Sequence, residues 1–276
     1  MKVIVLSDNR SANPDYQTEH GLSVYVETSE YRYLLDTGAS GLFIRNAAIA
    51  GVDLSLVDYV ILSHGHSDHT GGLDAFLRIN HSAKIIISDL ALSQRLYSKR
   101  NGFREIGSSV DVRRVTDRMM YVDGLCAINN EARVFRLTET PFPTPLANST
   151  LYKGEPEHVQ PDDFSHEIVV VIGNDKPFVF TGCAHKGLLN ILHAVRTQLN
   201  TEPGIVFGGF HLVDSTVGQS YETTETITSL ADQLIHEYPD TRFFTGHCTG
   251  DSACSILKSS IPDYLYQFGV GDLYTF

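Results

Sequence analysis

The chain has 276 residues, of which 42% are hydrophobic and 20% charged, so it can bury a core and is not expected to be disordered. Its formal net charge of −12 argues against a nucleic-acid partner, since a phosphate backbone needs a basic footprint. Its four cysteines are irregularly spaced and no apolar run approaches the length of a membrane span, so we expect a cytoplasmic protein with free thiols and no membrane partner.

Short apolar runs bounded by glycine or aspartate predict strands in the first third of the chain. The predicted strands cover residues 2–6, 22–27, 31–35 and 59–62, and the predicted helices cover residues 42–50 and 73–77. The strand at 31–35 ends in Asp36-Thr37-Gly38. By itself this tripeptide is typical of a turn or a helix cap.

Directly after the strand at 59–62, the chain carries His64, His66, Asp68 and His69 within six residues. Side chains that converge at a strand end can meet one ion, and zinc accepts imidazole nitrogen and carboxylate oxygen. The neighbouring glycines at 65, 71 and 72 allow a tight backbone. The alternative interpretation is a solvated loop that happens to be rich in histidine.

The pattern His64-x-His66-x-Asp68-His69 after an apolar strand resembles the signature of the metallo-β-lactamase superfamily. The resemblance implies an α/β fold with four layers, an αββα sandwich of two mixed sheets flanked by helices. It also implies that Asp36 braces the metal-binding loop, because metal-bound histidines commonly donate their second N–H to such a carboxylate. We expect one domain that covers residues 1–276.

The middle of the chain is the least regular part. A strand is predicted at 84–87, a helix at 89–97 from its leucine spacing, and short strands at 110–115, 119–122, 125–128 and 132–137. The polar run at 147–164 predicts a long loop. We therefore interpret residues 88–165 as a variable region that covers the substrate.

In the second half, strands are predicted at 167–172, 178–181, 205–207 and 241–245, helices at 187–200, 223–237 and 251–260, and an aromatic tail at 264–276. A glycine and then a histidine follow three of these strands, which gives His185, His211 and His247. A lone histidine is usually structural, but three in the same position after strands favour a shared site.

The resemblance implies that His247 is the last metal ligand of the superfamily pattern and that His185 is another. Cys183 occupies the position where superfamily members carry aspartate or, in some lactamases, cysteine, so it is either a thiolate ligand or a buried structural cysteine. His211 is either a ligand or a substrate-facing acid–base group. His166 is a weaker candidate for completing the metal shell.

Together these motifs resemble the branch that includes the archaeal dihydropterin–ribofuranosylaminobenzene-phosphate synthase and many metal-dependent hydrolases. The resemblance implies two divalent ions, zinc with iron or manganese as alternatives, held by His64, His66, Asp68, His69, His185 and His247, with Cys183 or His211 completing the shells.

The expected reaction is hydrolysis of a phosphoester or carboxyl ester of a small molecule by a metal-activated hydroxide. Asp68 would orient the nucleophile and His211 would protonate the leaving group. An anionic substrate is compatible with the acidic chain because a bound dication reverses the local field. The alternatives are a transferase that releases pyrophosphate and a non-catalytic metal sensor. The sequence predicts no oligomeric state.

Overall fold

The structure is a computed structural model that describes residues 1–276 apart from the side chain of Arg114. The helices are α1 (Leu42–Ile49), α2 (Ser67–Thr70), α3 (Leu73–Ile79), α4 (Leu188–Leu199), α5 (Thr224–Glu237) and α6 (Asp251–Ser260). The strands are β1 (Lys2–Ser7), β2 (Ser23–Glu27), β3 (Arg32–Leu35), β4 (Tyr59–Ile61), β5 (Lys84–Ser88), β6 (Leu96–Ser98), β7 (Arg104–Glu105), β8 (Met119–Val122), β9 (Cys126–Ala127), β10 (Ala132–Phe135), β11 (Leu151–Glu155), β12 (His158–Pro161), β13 (Val169–Ile172), β14 (Phe178–Phe180), β15 (Ile205–Phe207), β16 (Arg242–Thr245), β17 (Leu265–Gln267) and β18 (Leu273–Thr275).

The chain divides into two compact units, each built around its own seven-stranded sheet. The first unit comprises Met1–Asp123, Leu151–Ile168 and Gly269–Phe276, and the second comprises Gly124–Thr150 and Val169–Phe268. Both sheets are mixed and carry helices, which is the α/β composition that the sequence predicts. The assignment of the whole chain to one domain stays a prediction.

In the first unit the strand order is β18-β1-β2-β3-β4-β5-β8. The pairs from β18 to β3 are antiparallel, and those from β3 through β4 and β5 to β8 are parallel. Helices α1 and α3 bury Phe43 and Phe76 in a cluster that also contains Leu34, Val60 and Ile85 of the sheet. Because parallel strands end at the same edge, the chain segments after β3 and β4 meet there.

In the second unit the strand order is β17-β16-β15-β14-β13-β10-β9. The pairs from β17 to β14 are parallel, and the remaining pairs are antiparallel. The apolar stripe of α4, spaced at helical intervals, packs Leu188, Ile191 and Val195 in one cluster with Val179 and Val206 of the sheet. The segments after β14, β15 and β16 therefore end at one edge of this sheet.

A small sheet in the first unit, ordered β12-β11-β6-β7, corrects two predictions. The helix predicted at 89–97 is wrong, because that stretch forms turns followed by strand β6. The loop predicted at 147–164 is also wrong, because β11 and β12 form a hairpin that pairs with β6. Strand β6 pairs with β11, which lies more than 50 residues later in the chain. The periodicity of a short segment cannot predict pairing between such distant segments.

Two smaller predictions also change. The strand predicted at 110–115 is wrong, since Val112–Arg118 forms a 3-10 helix. The aromatic tail contains β17 and β18, and β18 pairs with the first strand of the chain. Among the residues that the structure describes, we find no helix with both the length and the apolar character needed to cross a bilayer.

Candidate metal centre

The first donor set, His64, His66, Asp68 and His69, lies in the first unit where the chain leaves β4. His66 precedes the short helix α2, which contains Asp68 and His69. The loop is fixed by the carbonyl of His69, which accepts hydrogen bonds from the amide and the hydroxyl of Thr37 at 2.8 and 3.0 Å. The side chains of His64 and His69 are fully buried.

Asp36 organises this loop. Its Oδ1 accepts the amide of Ser63 at 2.7 Å, and its Oδ2 accepts the Ser63 hydroxyl at 2.7 Å. The same Oδ2 lies 2.6 Å from Nδ1 of His69, and it is fully buried. The brace that the resemblance implies for Asp36 therefore agrees with these contacts. Its partner Ser63, which sequence reasoning passed over, extends the brace to a second histidine.

The hydrogen-bond chain from Asp36 sets the tautomers of two histidines. The Ser63 hydroxyl donates to Asp36, so it must accept from Nδ1–H of His64, 2.9 Å away. His69 likewise donates its Nδ1–H to Asp36. Both rings are left with a lone pair on Nε2, which is the atom that a metal ion requires.

Two pairs of side chains in this set also lie close together. Since Nε2 of His64 keeps its lone pair, Nδ1–H of His66 donates to it at 3.0 Å, which places the lone pair of the His66 ring on its own Nε2; Nε2 of His69 lies 3.9 Å from Oδ2 of Asp68. Two ligands on one tetrahedral zinc, each at about 2.0–2.1 Å, would be roughly 3.3 Å apart. Burial, with a smaller effect of His166, lowers the pKa of His66 to about 3, so this imidazole is neutral and can donate a lone pair. The residues fit a divalent metal ion.

The ligand atom of His166 lies within 4.8 Å of those of His66 and Asp162, so His166 stays a candidate metal ligand. Its Nδ1 accepts the amide of Gly65 at 3.2 Å, and its Nε2 lies 3.0 Å from Oδ2 of Asp162, with both side chains fully buried. Both ring nitrogens are therefore engaged in hydrogen bonds. Burial raises the pKa of Asp162, but the hydrogen bond with His166 outweighs burial and holds this pKa below its usual value. These contacts favour a role in fixing the loop at Gly65.

His20, which the sequence did not single out, lies beside the first donor set. Its Nε2 is 3.3 Å from Oδ2 of Asp68, and its side chain is largely exposed, whereas the Asp68 side chain is mostly buried. No local pattern pointed to His20, because it lies in a polar loop 48 residues before its partner.

The second donor set, Cys183, His185, His211 and His247, lies in the second unit after β14, β15 and β16. All four side chains are buried, as their positions after parallel strands predict. The rings of His185 and His211 have centroids 4.2 Å apart. Ligand atoms of Cys183, His211 and Cys248 lie within 4.8 Å of one another, which adds Cys248 to the candidates.

His185 is held by Asn148, a residue that sequence reasoning missed. The amide nitrogen of Asn148 donates to the carbonyl of His185 at 2.8 Å, and its Oδ1 lies 3.1 Å from Nδ1 of the ring. An Nδ1–H donated to Asn148 leaves Nε2 with the lone pair, as in the first donor set. Asn148 is 37 residues away in the chain, so no local signal connects the two residues.

Cys248 follows His247 directly, and that adjacency was the signal that could have found it. Burial raises the pKa of its thiol, but a hydrogen bond with Cys183 and the neighbouring imidazoles of His211 and His247 outweigh burial and hold the pKa well below its usual value. A thiol that ionises readily is a good soft-metal donor.

Four residues of the two donor regions have left-handed backbones without being glycine. The φ angles are 58° at Asp36, 56° at Ala184, 51° at His211 and 50° at His247. Such conformations cost free energy and cluster at functional sites. The sequence does not reveal them, because glycine is the residue that this geometry normally selects.

Comparisons with known proteins identify the family of the chain. Residues 17–211 match the family model of the metallo-β-lactamase superfamily. The chain is 22% identical to 7,8-dihydropterin-6-methyl-4-(beta-D-ribofuranosyl)-aminobenzene-5'-phosphate synthase of Methanocaldococcus jannaschii, over 100% of this chain and 97% of that protein.

Among solved structures, Tm1679, described as a metal-dependent hydrolase of the β-lactamase superfamily, is 27% identical with a TM-score of 0.81, covering 100% of this chain and 99% of that one. A diphosphatase from the PhnP family shares the fold at 14% identity with a TM-score of 0.54, covering 100% of this chain and 97% of the other. The predicted fold class is confirmed. The chain belongs to the metallo-β-lactamase superfamily.

Proposed function

We propose that this protein is a metal-dependent hydrolase that uses two divalent ions, zinc in the first instance, on a phosphoester or carboxyl ester of a small molecule. The observation that carries the proposal is the chain of hydrogen bonds from Asp36, which turns Nε2 of both His64 and His69 into lone-pair donors. A solvated histidine loop has no need of a buried carboxylate that fixes two tautomers.

The residues of the first donor set would hold metal, with His185 and His247 added from the motif resemblance. Bound zinc lowers the pKa of a coordinated water toward about 7 and polarises a carbonyl or phosphoryl oxygen. Asp68 would orient the nucleophile through its carboxylate. His211 would donate a proton to the leaving oxygen, unless it or Cys183 completes the metal shell.

The similarity to the dihydropterin synthase over 97% of its length supports a second candidate, a transferase that releases pyrophosphate. The two candidates differ in products. A hydrolase consumes water and yields an acid or a phosphate, whereas the transferase joins two organic substrates. The proposal also includes three predictions from the sequence: the protein is cytoplasmic, its substrate is a small molecule, and residues 88–165 cover that substrate.

The first experiment measures metal content by elemental analysis in the wild type and in the double variant His64→Ala with His66→Ala. His81→Ala, which changes an exposed histidine of the same unit, is the matched control. We expect two ions per wild-type and control chain and a loss in the double variant. Metal-free wild-type protein after reconstitution with zinc, iron and manganese would overturn the proposal.

The second experiment screens nitrophenyl phosphate mono- and diesters and carboxyl esters with the metal-loaded protein, with and without chelator. Chelator-sensitive hydrolysis supports the hydrolase. Release of pyrophosphate from an organic pyrophosphate, only when an aryl amine is present, would identify the transferase instead. Metal bound without either reaction would favour the sensor.

A further inference from the structure

A cavity of about 600 Å³ lies wholly within the second unit. The segment 143–146 forms one wall, the start of α4 and one side of α5 form two others, and Phe210 and Leu212 contribute to its lining. This volume lies within the range of about 300–1,000 Å³ that small-molecule pockets occupy. Neither donor set contributes a lining residue.

The walls are mainly apolar and are held in place. Phe210, Leu188 and Leu212 belong to the apolar core of the unit and are 1%, 4% and 6% exposed. The side chain of Asn190 ties the outer wall to α4, since it accepts the amide of Phe142 at 2.8 Å and donates to the carbonyl of Phe142 at 2.9 Å. A pocket with fixed walls binds a ligand with little ordering cost.

One carboxylate gives this pocket a charge preference. Glu222 lines the cavity, and its Oε1 accepts the amide of Leu146 at 2.6 Å. Its Oε2 is buried and has no hydrogen-bond partner among the residues that the structure describes. A buried carboxylate oxygen without a donor is costly, so a ligand that supplies a charged N–H group would be favoured.

The rest of the lining reinforces this preference. Glu225 adds a second acidic side chain, and none of the described residues that line the cavity is lysine or arginine. The chain as a whole carries a formal net charge of −12. An organic anion would meet uncompensated repulsion here, whereas a cation would not.

We propose that this cavity is a binding site for a small organic ammonium ion with an aromatic or aliphatic body. The body packs on Phe210, Leu212 and the prolines of segment 143–146, and the ammonium group pairs with the carboxylate of Glu222. The site goes beyond the proposed hydrolase, because binding requires no metal. It adjoins the second donor set along the chain, since Phe210 and Leu212 flank His211.

The test uses isothermal titration calorimetry on the full chain with 2-phenylethylamine as the probe. The matched probes are 2-phenylethanol, which keeps the body and lacks the charge, and 3-phenylpropionate, which reverses the charge. We expect the amine to bind about tenfold to a hundredfold more tightly than the alcohol, the range of one charge-assisted hydrogen bond. Binding of the propionate should be the weakest.

Two variants locate the site. Glu222→Gln keeps the shape and removes the charge, so the preference for amine over alcohol should fall to within about threefold. Glu225→Gln, which alters an exposed acid on the same cavity, should lower the preference by a smaller factor than Glu222→Gln does. Ser229→Trp fills the cavity from an exposed position on α5 and should weaken both the amine and the alcohol.

Circular dichroism and thermal melts establish that each variant is folded. Equal binding of amine and alcohol by the wild type, an unchanged preference in Glu222→Gln, or no binding of any probe would each overturn the proposal. Because calorimetry is run on metal-free and zinc-loaded protein alike, these outcomes do not depend on whether the chain is a hydrolase.

Discussion

Oδ2 of Asp36 lies 2.6 Å from Nδ1 of His69, and both side chains are fully buried. The same oxygen accepts the hydroxyl of Ser63, which in turn accepts from His64. One carboxylate therefore orients two of the candidate metal ligands. It does so from the end of β3, at the edge of the sheet where β4 also ends.

Asp36→Asn tests this relationship. Asparagine replaces one of the two acceptor oxygens with an NH2 donor, so either the amide of Ser63 or the side-chain donors of His69 and Ser63 lose their acceptor, and the ring orientations loosen. We expect zinc affinity, measured by competition with a chromophoric chelator, to fall about tenfold to a hundredfold. Asp53→Asn, which changes an exposed aspartate at the start of a 3-10 helix, is the control and should keep full affinity. Equal affinity in the two variants would contradict the brace.

His166 and Asp162 should act as a unit that fixes the loop at Gly65. In His166→Leu, Asp162 is left as a buried carboxylate without its imidazole, so unfolding free energy should fall by about 3–5 kcal/mol. Adding Asp162→Leu removes that charge and should restore part of the loss. Urea unfolding measures both.

Metal content shows whether His166 fixes the loop at Gly65 or binds metal itself. A positioning role predicts that the double variant His166→Leu with Asp162→Leu keeps the metal stoichiometry of the wild type, with weakened affinity. Loss of one ion per chain would instead make His166 a ligand, the role for which the sequence made it a weaker candidate.

The positions of the candidate donors could be predicted, because their signal is local, and that they bind metal stays a prediction. The apolar strand before Ser63 and the spacing of the first donor set lie within one short segment, so one sequence suffices. The same holds for His185, His211 and His247 as side chains after strands. Their shared environment follows from parallel strands that end at one edge of a sheet.

The supporting contacts were not predictable, because they join distant residues. The amide of Gly65 and the ring of His166 are 101 residues apart. The hairpin of β11 and β12 consists mostly of partly or fully exposed residues, such as Lys153. Its strand pairing is set by β6 and not by its own periodicity. The spacing of the leucines at 90, 92 and 96 predicts a helix that the structure does not contain. Leu90 and Leu92 lie in turns, and Leu96 begins strand β6.

The metal-free protein should lose stability as the pH falls below about 6.5. The pKa of His66 is about 3 in the folded state against 6.5 in the unfolded state, so the unfolded chain binds the extra proton in that window. Stability then rises with pH, and one such group accounts for about 1.4 kcal/mol between pH 5.5 and 7.5. The pKa of Asp162, which is also lowered, lies below this window.

Urea unfolding of metal-free protein at the two pH values measures this effect. His66→Gln should remove the change of about 1.4 kcal/mol in unfolding free energy between the two pH values. His81→Gln, at an exposed position, should keep this change. A pH dependence that is identical in all three proteins would show that His66 is not the responsible group.

Cobalt substitution can identify the thiolate ligand. If Cys183 binds metal, the cobalt protein should show a sulfur-to-cobalt charge-transfer band in the near ultraviolet, and Cys183→Ser should abolish it. Cys126→Ser, which alters a half-buried thiol in β9, should keep the band. Loss of the band in Cys248→Ser but not in Cys183→Ser would transfer the role to Cys248, and no band in the wild type would make both cysteines structural.

Gly72→Ala should disrupt the loop that carries the first donor set, although Gly72 is not itself a candidate ligand. A Cβ atom at this position would overlap the carbonyl oxygens of Thr37 and Ser40, which are backbone atoms and cannot rotate away. We expect a loss of several kcal/mol or failure to fold, as seen by circular dichroism and urea unfolding, in the upper range of single substitutions. Gly51→Ala is the control, because its Cβ would meet nothing within 4 Å and only the positive φ of 70° resists it, at about 1–2 kcal/mol. Equal losses in the two variants would mean that the loop carrying His69 is not packed against Thr37 as described.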